Sequence, residues 1–308
     1  MPELTLVVAT HQSAPELPAL LASAEAHLGD RCEIVVVDSG SSDDGPRFAA
    51  TAGARVIELD GNPGFGAACN AGVEVASAPV TALVNPDIEL LDDGLLRLAT
   101  EACERRVLLA PRLLEPDGRP QRSSHPVPGR LDALVPALLP SVLLPRPLRL
   151  RAEPWRADER RPVGWAIAAC LVAHTDLLRG LGPFDAGDFL FYEDLDLALR
   201  ARAQGIGTEH CPDVAVRHLG GRSTARHYAA EPLDVKARRR REVVARRLGP
   251  EALVRDDLAQ GLTFATRAAG HSLRRRTGGR ERAQLRALRG ARRTEAGTRA
   301  PGASGGAA

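Results

Sequence analysis

Asp87 is the first residue of the chain whose position suggests chemistry. It ends the run Leu-Val-Asn-Pro-Asp at residues 83–87, so its carboxylate follows a short apolar stretch that predicts a buried strand. Oxygen ligands of this kind suit Mg²⁺ or Mn²⁺, and either ion could bridge the phosphates of a nucleotide diphosphate. The same residues also fit a turn in which Asn and Asp cap the local backbone, and the motif alone leaves both interpretations open.

A second acidic group lies in residues 189–197, which read Phe-Leu-Phe-Tyr-Glu-Asp-Leu-Asp-Leu. A helix that opens near Glu193 would place Asp194 and Asp196 roughly 200° apart around its axis, so the two cannot serve one site. Asp196 has Arg200 four residues later as a structural partner. Asp194 has no such local partner and could act as a general base. Acidic residues also favour helix N-termini for electrostatic reasons alone, which leaves this assignment open as well.

His218 and the loop at residues 60–72 give weaker signals. His218 follows a strand-like run at 214–217 and precedes two glycines, so its imidazole could be a further metal ligand, although a lone histidine at a strand end is usually structural. The loop contains Gly-x-Gly-x-x-Cys from Gly64, which lacks the third glycine of a dinucleotide-binding fingerprint and follows the third strand instead of the first. We interpret it as a tight turn into a helix near a nucleotide, with Asn70 as a polar contact.

The elements that would position these residues alternate along the first hundred positions. Apolar runs typical of buried strands cover residues 4–9, 33–37, 55–59 and 80–84. Helical patterns separate them at residues 15–27, 46–52, 66–76 and 92–103. This alternation predicts βαβ units in a mostly parallel sheet, which binds ligands at the carboxyl ends of its strands. Polar residues occupy those ends: Thr10, Asp38, Asp60, Asn85 and Asp87.

The chain has an acidic body and a basic C-terminal part. Of its 41 Lys+Arg and 39 Asp+Glu residues, 19 basic and 6 acidic ones lie from Val235 onwards. We expect a basic helical extension over residues 235–276 and a disordered Gly/Arg/Ala-rich tail over residues 277–308. The tail lacks interleaved aromatic residues, so no nucleic-acid partner is expected. Attraction to an anionic membrane face and a merely solvated tail are equally compatible with it.

Residues 131–150 form an apolar stretch that is broken by prolines and ends in arginines. It fits a surface flap over the core, and it also fits a segment that lies shallowly in a membrane interface. No apolar run has the length of a membrane-spanning helix, and the N-terminus lacks the basic region of a signal peptide. The five scattered cysteines indicate reduced thiols. We therefore expect a cytoplasmic protein, with peripheral contact at the inner face of the plasma membrane left open.

Six motifs, in order within residues 4–225, resemble the family 2 inverting glycosyltransferases of the GT-A fold, and in particular their bacterial rhamnosyltransferase-like branch. They are residues 7–13 (VVATHQS), 34–43 (IVVVDSGSSD), 62–72 (NPGFGAACNAG), 83–87 (LVNPD), 182–185 (GPFD) and 191–200 (FYEDLDLALR). Each motif is modest alone, but their common order along the chain is specific.

The resemblance implies an α/β fold of GT-A type, with a Rossmann-like, mostly parallel sheet flanked by helices and followed by the basic helical extension. Residues 1–234 would form the glycosyltransferase domain, with a nucleotide-binding half at 1–110 and an acceptor half at 111–234. Asp194 would be the catalytic base, and Asp87 and His218 would hold Mg²⁺ or Mn²⁺. The implied nucleotide-sugar contacts are Thr10, Asp38, Ser41, Asn70 and Asn85, and the implied acceptor-side residues are Trp165 and Glu193.

The implied activity is inverting transfer of a sugar from a nucleotide diphosphate, with dTDP-rhamnose as the first guess. The acceptor would be a hydroxyl of a glycan or polyprenyl-linked molecule in cell-envelope polysaccharide synthesis. Two departures leave its identity open: Trp-Ala-Ile-Ala-Ala from Trp165 replaces the usual Trp-x-x-Gly-Ala, and His174-Thr175 replaces an arginine pair.

Two alternative functions would place the protein in other functional classes. A nucleotidyltransferase that makes sugar nucleotides would need a lysine beside a Gly-rich N-terminal loop, and the only lysine of the chain is Lys236. A degenerate scaffold that binds sugar nucleotides without catalysis would not need the intact Asp87, Asp194 and His218.

Overall fold

The computed structural model describes residues 1–139, 143–182, 184–185, 191–220, 231–273 and 278–298. The chain forms two compact units, one of residues 1–127 and 145–230 and the other of residues 128–144 and 231–308. Residues 128–144 thus group with the C-terminal helices, although the sequence prediction places them within an acceptor half.

The strands are β1 (Leu4–Thr10), β2 (Cys32–Asp38), β3 (Arg55–Glu58), β4 (Val80–Val84), β5 (Ile88–Leu90), β6 (Val107–Leu114), β7 (Ser124–His125), β8 (Arg161–Val163), β9 (Trp165–Ala166), β10 (Cys170–His174) and β11 (Gly207–His218). The helices are α1 (Leu17–Leu28), α2 (Gly45–Thr51), α3 (Phe65–Val75), α4 (Gly94–Glu104), α5 (Leu134–Leu138), α6 (Arg146–Ala152), α7 (Thr175–Leu181), α8 (Glu193–Ala203), α9 (Leu233–Leu273) and α10 (Gly279–Thr298). Short 3₁₀ turns lie at Gly29–Arg31, Leu131–Ala133 and Pro154–Arg156.

In the described residues of the first unit, nine strands form one sheet in the order β3-β2-β1-β4-β10-β6-β11-β5, with β8 paired to β11. The half from β3 to β4 is parallel, as the strand–helix alternation predicts. Strand β10 then runs antiparallel between β4 and β6, and β5 and β8 are antiparallel to β11. The predicted α/β class is confirmed, and the sheet as a whole is mixed. Strands β7 and β9 form a separate two-stranded sheet.

Helices cover both faces of the parallel half, which explains why β1 is buried along its whole length. Leu4, Leu6 and Val8 point to one face and pack in a cluster with residues of α1 and α4. Val7 and Ala9 point to the other face and join a cluster with residues of α3, α7 and α8. This alternation follows from the two-residue period of a strand, and burial on both faces favours the continuous apolar runs seen in the sequence.

Gly72 lets α3 approach the sheet closely. A Cβ atom at this position would lie 2.3 Å from Cγ1 of Val7 and 3.1 Å from Cγ2 of Val37. The first separation is far below van der Waals contact and the second is tight, so a residue larger than glycine would require the Val7 side chain, the helix or the strands to move. The position of α3, whose first turn faces Phe184, therefore depends on this residue.

The second unit is built around α9, which is interrupted at Gly249, where φ is 83°, directly before Pro250. Arg240 forms a two-pronged ion pair with Asp256 at 2.8 and 2.9 Å, and Arg241 pairs with Asp257. Residues sixteen positions apart would be separated by about 24 Å in a straight helix, so these contacts require the two halves of α9 to fold back on each other.

Helix α10 corrects the expectation of a disordered tail from residue 277. Ala287 and Leu288 are buried, and His271 of α9 pairs with Glu281 of α10 at 3.4 Å. Arginine, alanine and leucine favour helices, so an apolar stripe in this composition is enough for a packed helix. Residues 299–308 lie outside the described part. No described helix has the length and apolar content needed to cross a bilayer.

Candidate active site

Three of the residues that are predicted to contact the nucleotide sugar lie together where β1 and β2 end. Thr10 and Asp38 are register partners at the last position of these strands, and both are buried. The Thr10 hydroxyl donates to Oδ1 of Asp38 at 3.0 Å. The hydroxyl and backbone N–H of Ser41 donate to the same carboxylate at 2.6 and 2.8 Å. The carboxylate is thus fixed at the carboxyl edge of the parallel half, where such sheets bind ligands.

Asp87 and His218 are brought together by the pairing of β5 with β11. His218 is opposite Ile88 in the antiparallel ladder, and the backbone N–H of Leu219 donates to the carbonyl of Asp87 at 3.0 Å. Both side chains are buried, and Nε2 of His218 lies 3.3 Å from Oδ1 of Asp87. Residues 131 positions apart in the sequence thus present a carboxylate and an imidazole side by side.

Asn85 and Gln121 contact the two nitrogens of the His218 ring. Nδ2 of Asn85 lies 3.4 Å from Nε2, and Oε1 of Gln121 lies 2.7 Å from Nδ1. The backbone N–H of Asn85 donates to the carbonyl of Ala169 at 2.9 Å. Among the described residues, no three His, Cys, Asp or Glu side chains are grouped closely enough to hold a metal by themselves.

Asp194 lies in the first turn of α8 and is half-buried. Burial raises the pKa of its carboxyl to about 6, against the opposing effect of backbone N–H groups of Leu195 and Ala168 that hydrogen-bond to it. The Leu195 N–H donates to Oδ1 at 2.7 Å. Because Ala168 is next to Ala169, the segment that holds Asn85 also contacts Asp194.

The backbone is strained just before Asp194. Phe191 and Tyr192 have φ angles of 76° and 66°, a left-handed conformation that side chains with a Cβ rarely adopt. Such strain is concentrated at functional sites, where the surrounding structure maintains it. Phe189, the first aromatic residue of the predicted entrance, lies outside the described residues.

Trp165 lies on the predicted acceptor side in a cluster of rings. Its indole stacks on His125, with ring centres 4.3 Å apart, and is tilted against Tyr192 at 5.9 Å. The indole is buried, and within the described part of the chain its Nε1–H has no hydrogen-bond partner. Glu193 is buried next to Cys69; burial chiefly, and the negative charge of Glu193 in addition, raise the pKa of that thiol.

Two polar residues of the motifs have structural contacts. The amide of Asn70 donates to the carbonyl of Phe184 at 2.8 Å and accepts its N–H at 2.9 Å, so it holds the chain beside α3. Its predicted nucleotide contact stays a prediction. Asp196 is fully buried and forms the expected ion pair with Arg200 at 2.8 Å. Arg200 also donates to the carbonyl of Leu181, which joins α8 to the end of α7.

Sequence reasoning missed Gln121 and the backbone of Ala168. Gln121 lies in a stretch without regular patterning, 97 residues before the histidine that it contacts. The hydrogen bond from Ala168 is made by the backbone, which no residue type reveals. Gln121 could have been found only by predicting that β6 pairs with β11, because this pairing brings the residues after Leu114 close to His218.

The chain is similar in sequence to known glycosyltransferases. Residues 5–145 match the family model described as Glycosyl transferase family 2. The N-acetylglucosaminyl-diphospho-decaprenol L-rhamnosyltransferase of Mycobacterium tuberculosis is 27% identical over 250 residues, which cover 74% of this chain and 79% of that protein. The low-salt glycan biosynthesis hexosyltransferase Agl10 of Haloferax volcanii is 22% identical over 221 residues, which cover 70% of this chain and 67% of that protein.

Solved structures resemble the fold. A mannosyltransferase from Pyrobaculum calidifontis, in complex with GDP-Man and Mn²⁺, has a TM-score of 0.55 at 15% identity, covering 97% of this chain and 88% of its own. S. aureus TarS 1–349 in complex with UDP-GlcNAc has a TM-score of 0.54 at 19% identity, covering 94% and 80%. The family match over residues 5–145, the curated glycosyltransferase relatives and the shared GT-A fold together support a glycosyltransferase that is similar to glycosyl transferase family 2.

Proposed function

We propose that this glycosyltransferase moves a sugar from a nucleotide diphosphate to an acceptor hydroxyl with inversion, and that Asp194 is the base. The observation that carries the proposal is the half-buried Asp194 carboxylate at the start of α8, with its pKa raised to about 6. A carboxylate with this pKa is ionised at neutral pH, yet it accepts a proton more readily than an exposed aspartate does.

In this mechanism the groups of the chain hold the reactants and move one proton. The acceptor oxygen attacks the anomeric carbon from the side opposite the leaving group, while its proton passes to Asp194. The bond from that carbon to the diphosphate oxygen breaks in the same step, so the configuration inverts. The N–H groups of Leu195 and Ala168 keep the carboxylate in one orientation throughout.

Asp87 and His218 are the residues that we propose to hold Mg²⁺ or Mn²⁺. Their buried oxygen and nitrogen atoms lie 3.3 Å apart; the carboxylate suits both ions, and the imidazole suits the transition metal Mn²⁺ better than Mg²⁺. Mg²⁺ is usually bound by one or two protein carboxylates together with substrate phosphates and water, so two protein ligands are compatible with it. When bound, the ion would neutralise charge on the departing diphosphate. The Mn²⁺ in the mannosyltransferase complex supports this assignment.

For the nucleoside part of the donor we propose the cluster of Thr10, Asp38 and Ser41, with Asn85 near the phosphates. The M. tuberculosis relative is named as an L-rhamnosyltransferase that acts on a decaprenyl diphosphate-linked sugar. It supports dTDP-rhamnose as the first donor to test and a lipid-linked glycan of cell-envelope synthesis as the acceptor. Trp165 and Glu193 would lie on the acceptor side.

We also propose that residues 131–150 and the basic extension contact the inner face of the plasma membrane, in a protein that is otherwise cytoplasmic. Four leucines support this: Leu131, Leu138, Leu139 and Leu143 are 68%, 55%, 46% and 68% exposed. They belong to the same unit as the arginine-rich helices α9 and α10. Leucines that enter the headgroup region and arginines that meet anionic lipid are the usual components of interfacial binding.

Vesicle sedimentation tests the membrane proposal. We expect binding to vesicles that contain anionic lipid, little binding to phosphatidylcholine vesicles, and a severalfold loss in the double variant Leu131→Ser/Leu143→Ser. Phe48→Ser is the matched control, because Phe48 is an exposed apolar residue of the first unit. Equal sedimentation of the leucine variant and the wild type would contradict the assignment.

The transfer proposal is tested with a panel of UDP, dTDP and GDP sugars with and without Mn²⁺. We expect metal-dependent release of one nucleoside diphosphate, and loss of turnover with retained donor binding in Asp194→Asn. Asp176→Asn, which changes an exposed aspartate of α7, is the control and should keep wild-type turnover. Near-normal turnover of Asp194→Asn would refute the role of the base.

A further inference from the structure

We propose that Gln121 is a positioning residue for the metal site, because it holds the His218 ring in the tautomer whose Nε2 lone pair faces Asp87. This inference rests on the proposed metal-binding role of Asp87 and His218. It adds a residue that belongs to none of the six motifs.

Two contacts of the His218 ring, with Gln121 and Asn85, favour one neutral tautomer, whereas the third, with the acceptor Oδ1 of Asp87, does not. A neutral imidazole has one nitrogen that donates and one that accepts. Oε1 of Gln121, which can only accept, lies 2.7 Å from Nδ1, so Nδ1 carries the hydrogen. The amide nitrogen of Asn85, which can only donate, faces Nε2 at 3.4 Å, so Nε2 carries the lone pair. The two contacts therefore agree.

This tautomer places two electron-rich atoms against each other. Nε2 of His218 and Oδ1 of Asp87 both present lone pairs at 3.3 Å, in a place where both side chains are buried. Their repulsion is relieved when a cation binds to both. In metal sites, a ligating histidine almost always donates its other ring N–H to an oxygen, which fixes the ring and raises its basicity. Gln121 is the residue that supplies such an oxygen here.

The backbone keeps Gln121 in place for this role. Its N–H donates to the carbonyl of Leu113 at 2.8 Å, and its carbonyl accepts the N–H of Ser123 at 2.8 Å. Leu113 belongs to β6, which pairs in parallel with the strand that ends at His218. A glutamine supplies an acceptor oxygen without adding a second negative charge next to Asp87. Leucine, which has a similar volume and no acceptor, is therefore the informative replacement, and glutamate is the conservative one.

Mn²⁺ binding, followed by the electron paramagnetic resonance signal of the free ion, is the first test. We expect Gln121→Leu to raise the Kd for Mn²⁺ by about 10- to 100-fold, the usual effect of removing an outer partner of a metal ligand. Gln121→Glu keeps an acceptor oxygen, so its Kd for Mn²⁺ should lie within about threefold of the wild-type value. Gln204→Leu, at an exposed glutamine after α8, should leave the Kd unchanged. A wild-type Kd in Gln121→Leu would overturn the proposal.

Nitrogen-15 NMR of the metal-free protein, labelled at histidine, is the second test. The His218 signals, identified by their loss in His218→Gln, should show a protonated Nδ1 and an unprotonated Nε2 in the wild type and in Gln121→Glu. In Gln121→Leu this preference should weaken or reverse. An unchanged tautomer in Gln121→Leu would overturn the proposal even if the variant loses affinity through general disorder.

The two tests separate this inference from the proposed metal site. If the wild type binds Mn²⁺ and Asp87→Asn weakens binding while Gln121→Leu does not, then only the role of Gln121 fails. If Asp87→Asn and the wild type bind Mn²⁺ equally weakly, then the metal site fails and the role of Gln121 fails with it, whatever the tautomer.

Discussion

Replacement of Asp194 with asparagine changes one charged group and has two measurable consequences. The variant keeps the shape of the side chain and one oxygen that can accept the Leu195 N–H, which lies 2.7 Å from Oδ1. It loses the ability to take a proton from an acceptor hydroxyl, so turnover should fall to the background level. It also removes a carboxylate whose ionised form is destabilised by burial.

The size of the stability change follows from the pKa. The folded protein raises the pKa of this carboxyl from 3.8 to about 6, a difference of about two units, or about 3 kcal/mol at 1.36 kcal/mol per unit. Because the folded value is the higher one, the stabilising contribution of this carboxyl is fully present below pH 3.8. That contribution is lost as the pH rises through 6. Asp194→Asn has no such loss. Since Asp194 is only half-buried, solvent screening makes 3 kcal/mol an upper value.

The assay is urea denaturation of both proteins between pH 4 and pH 8, followed by tryptophan fluorescence. The free energy of unfolding of Asp194→Asn, minus that of the wild type, should increase by up to about 3 kcal/mol over this range. In parallel, kcat of the wild type should fall about tenfold per pH unit below pH 6, since the base must be ionised. The control Asp176→Asn should follow the wild type in both measurements. A difference in stability that is independent of pH would refute the burial argument, and an acid limb centred below about pH 4.5 would refute the assigned base.

Three further variants, one of them with a matched control, test other parts of the structure. Asp196→Ala removes the carboxylate from its ion pair with the half-buried Arg200 and should lower the free energy of unfolding by about 3–5 kcal/mol, measured in urea; a loss below 1 kcal/mol would show that the pair is not structural. Gly72→Ala should cost about 1–3 kcal/mol because its Cβ collides with a valine of β1, whereas Gly270→Ala, with open space around it in α9, should be neutral or stabilising. Asp38→Asn should weaken nucleotide diphosphate binding by about tenfold or more in calorimetry, the equivalent of one lost hydrogen bond, and unchanged affinity would contradict its assignment to the donor site.

Local sequence patterns predicted the parallel half of the sheet well. The apolar runs at 4–9, 33–37 and 80–84 became β1, β2 and β4 within one or two residues, because strands buried on both faces need continuous apolar side chains. The pairing of Asp196 with Arg200 was also predictable, since its four-residue spacing belongs to one helix.

Contacts between distant segments were not predictable in the same way. Strand β10 lies between β4 and β6, so its antiparallel direction is set by sheet topology and not by its own residues. The contact between Gln121 and His218 depends on the pairing of β6 with β11. Helix α10 was missed because composition alone suggested disorder, although its few apolar residues needed only a neighbouring helix on which to pack.

The fold-back of α9 changes what the basic composition of the C-terminal part means for a partner outside the molecule. Arg240 and Arg241 are matched with Asp256 and Asp257, and Glu231 binds both Lys236 and Arg280. Part of the positive charge counted in the sequence is therefore neutralised inside this unit. The effective valence of the extension towards an anionic bilayer is lower than its arginine count, and its attraction to lipid should respond less steeply to added salt than that of an unfolded chain with the same residues.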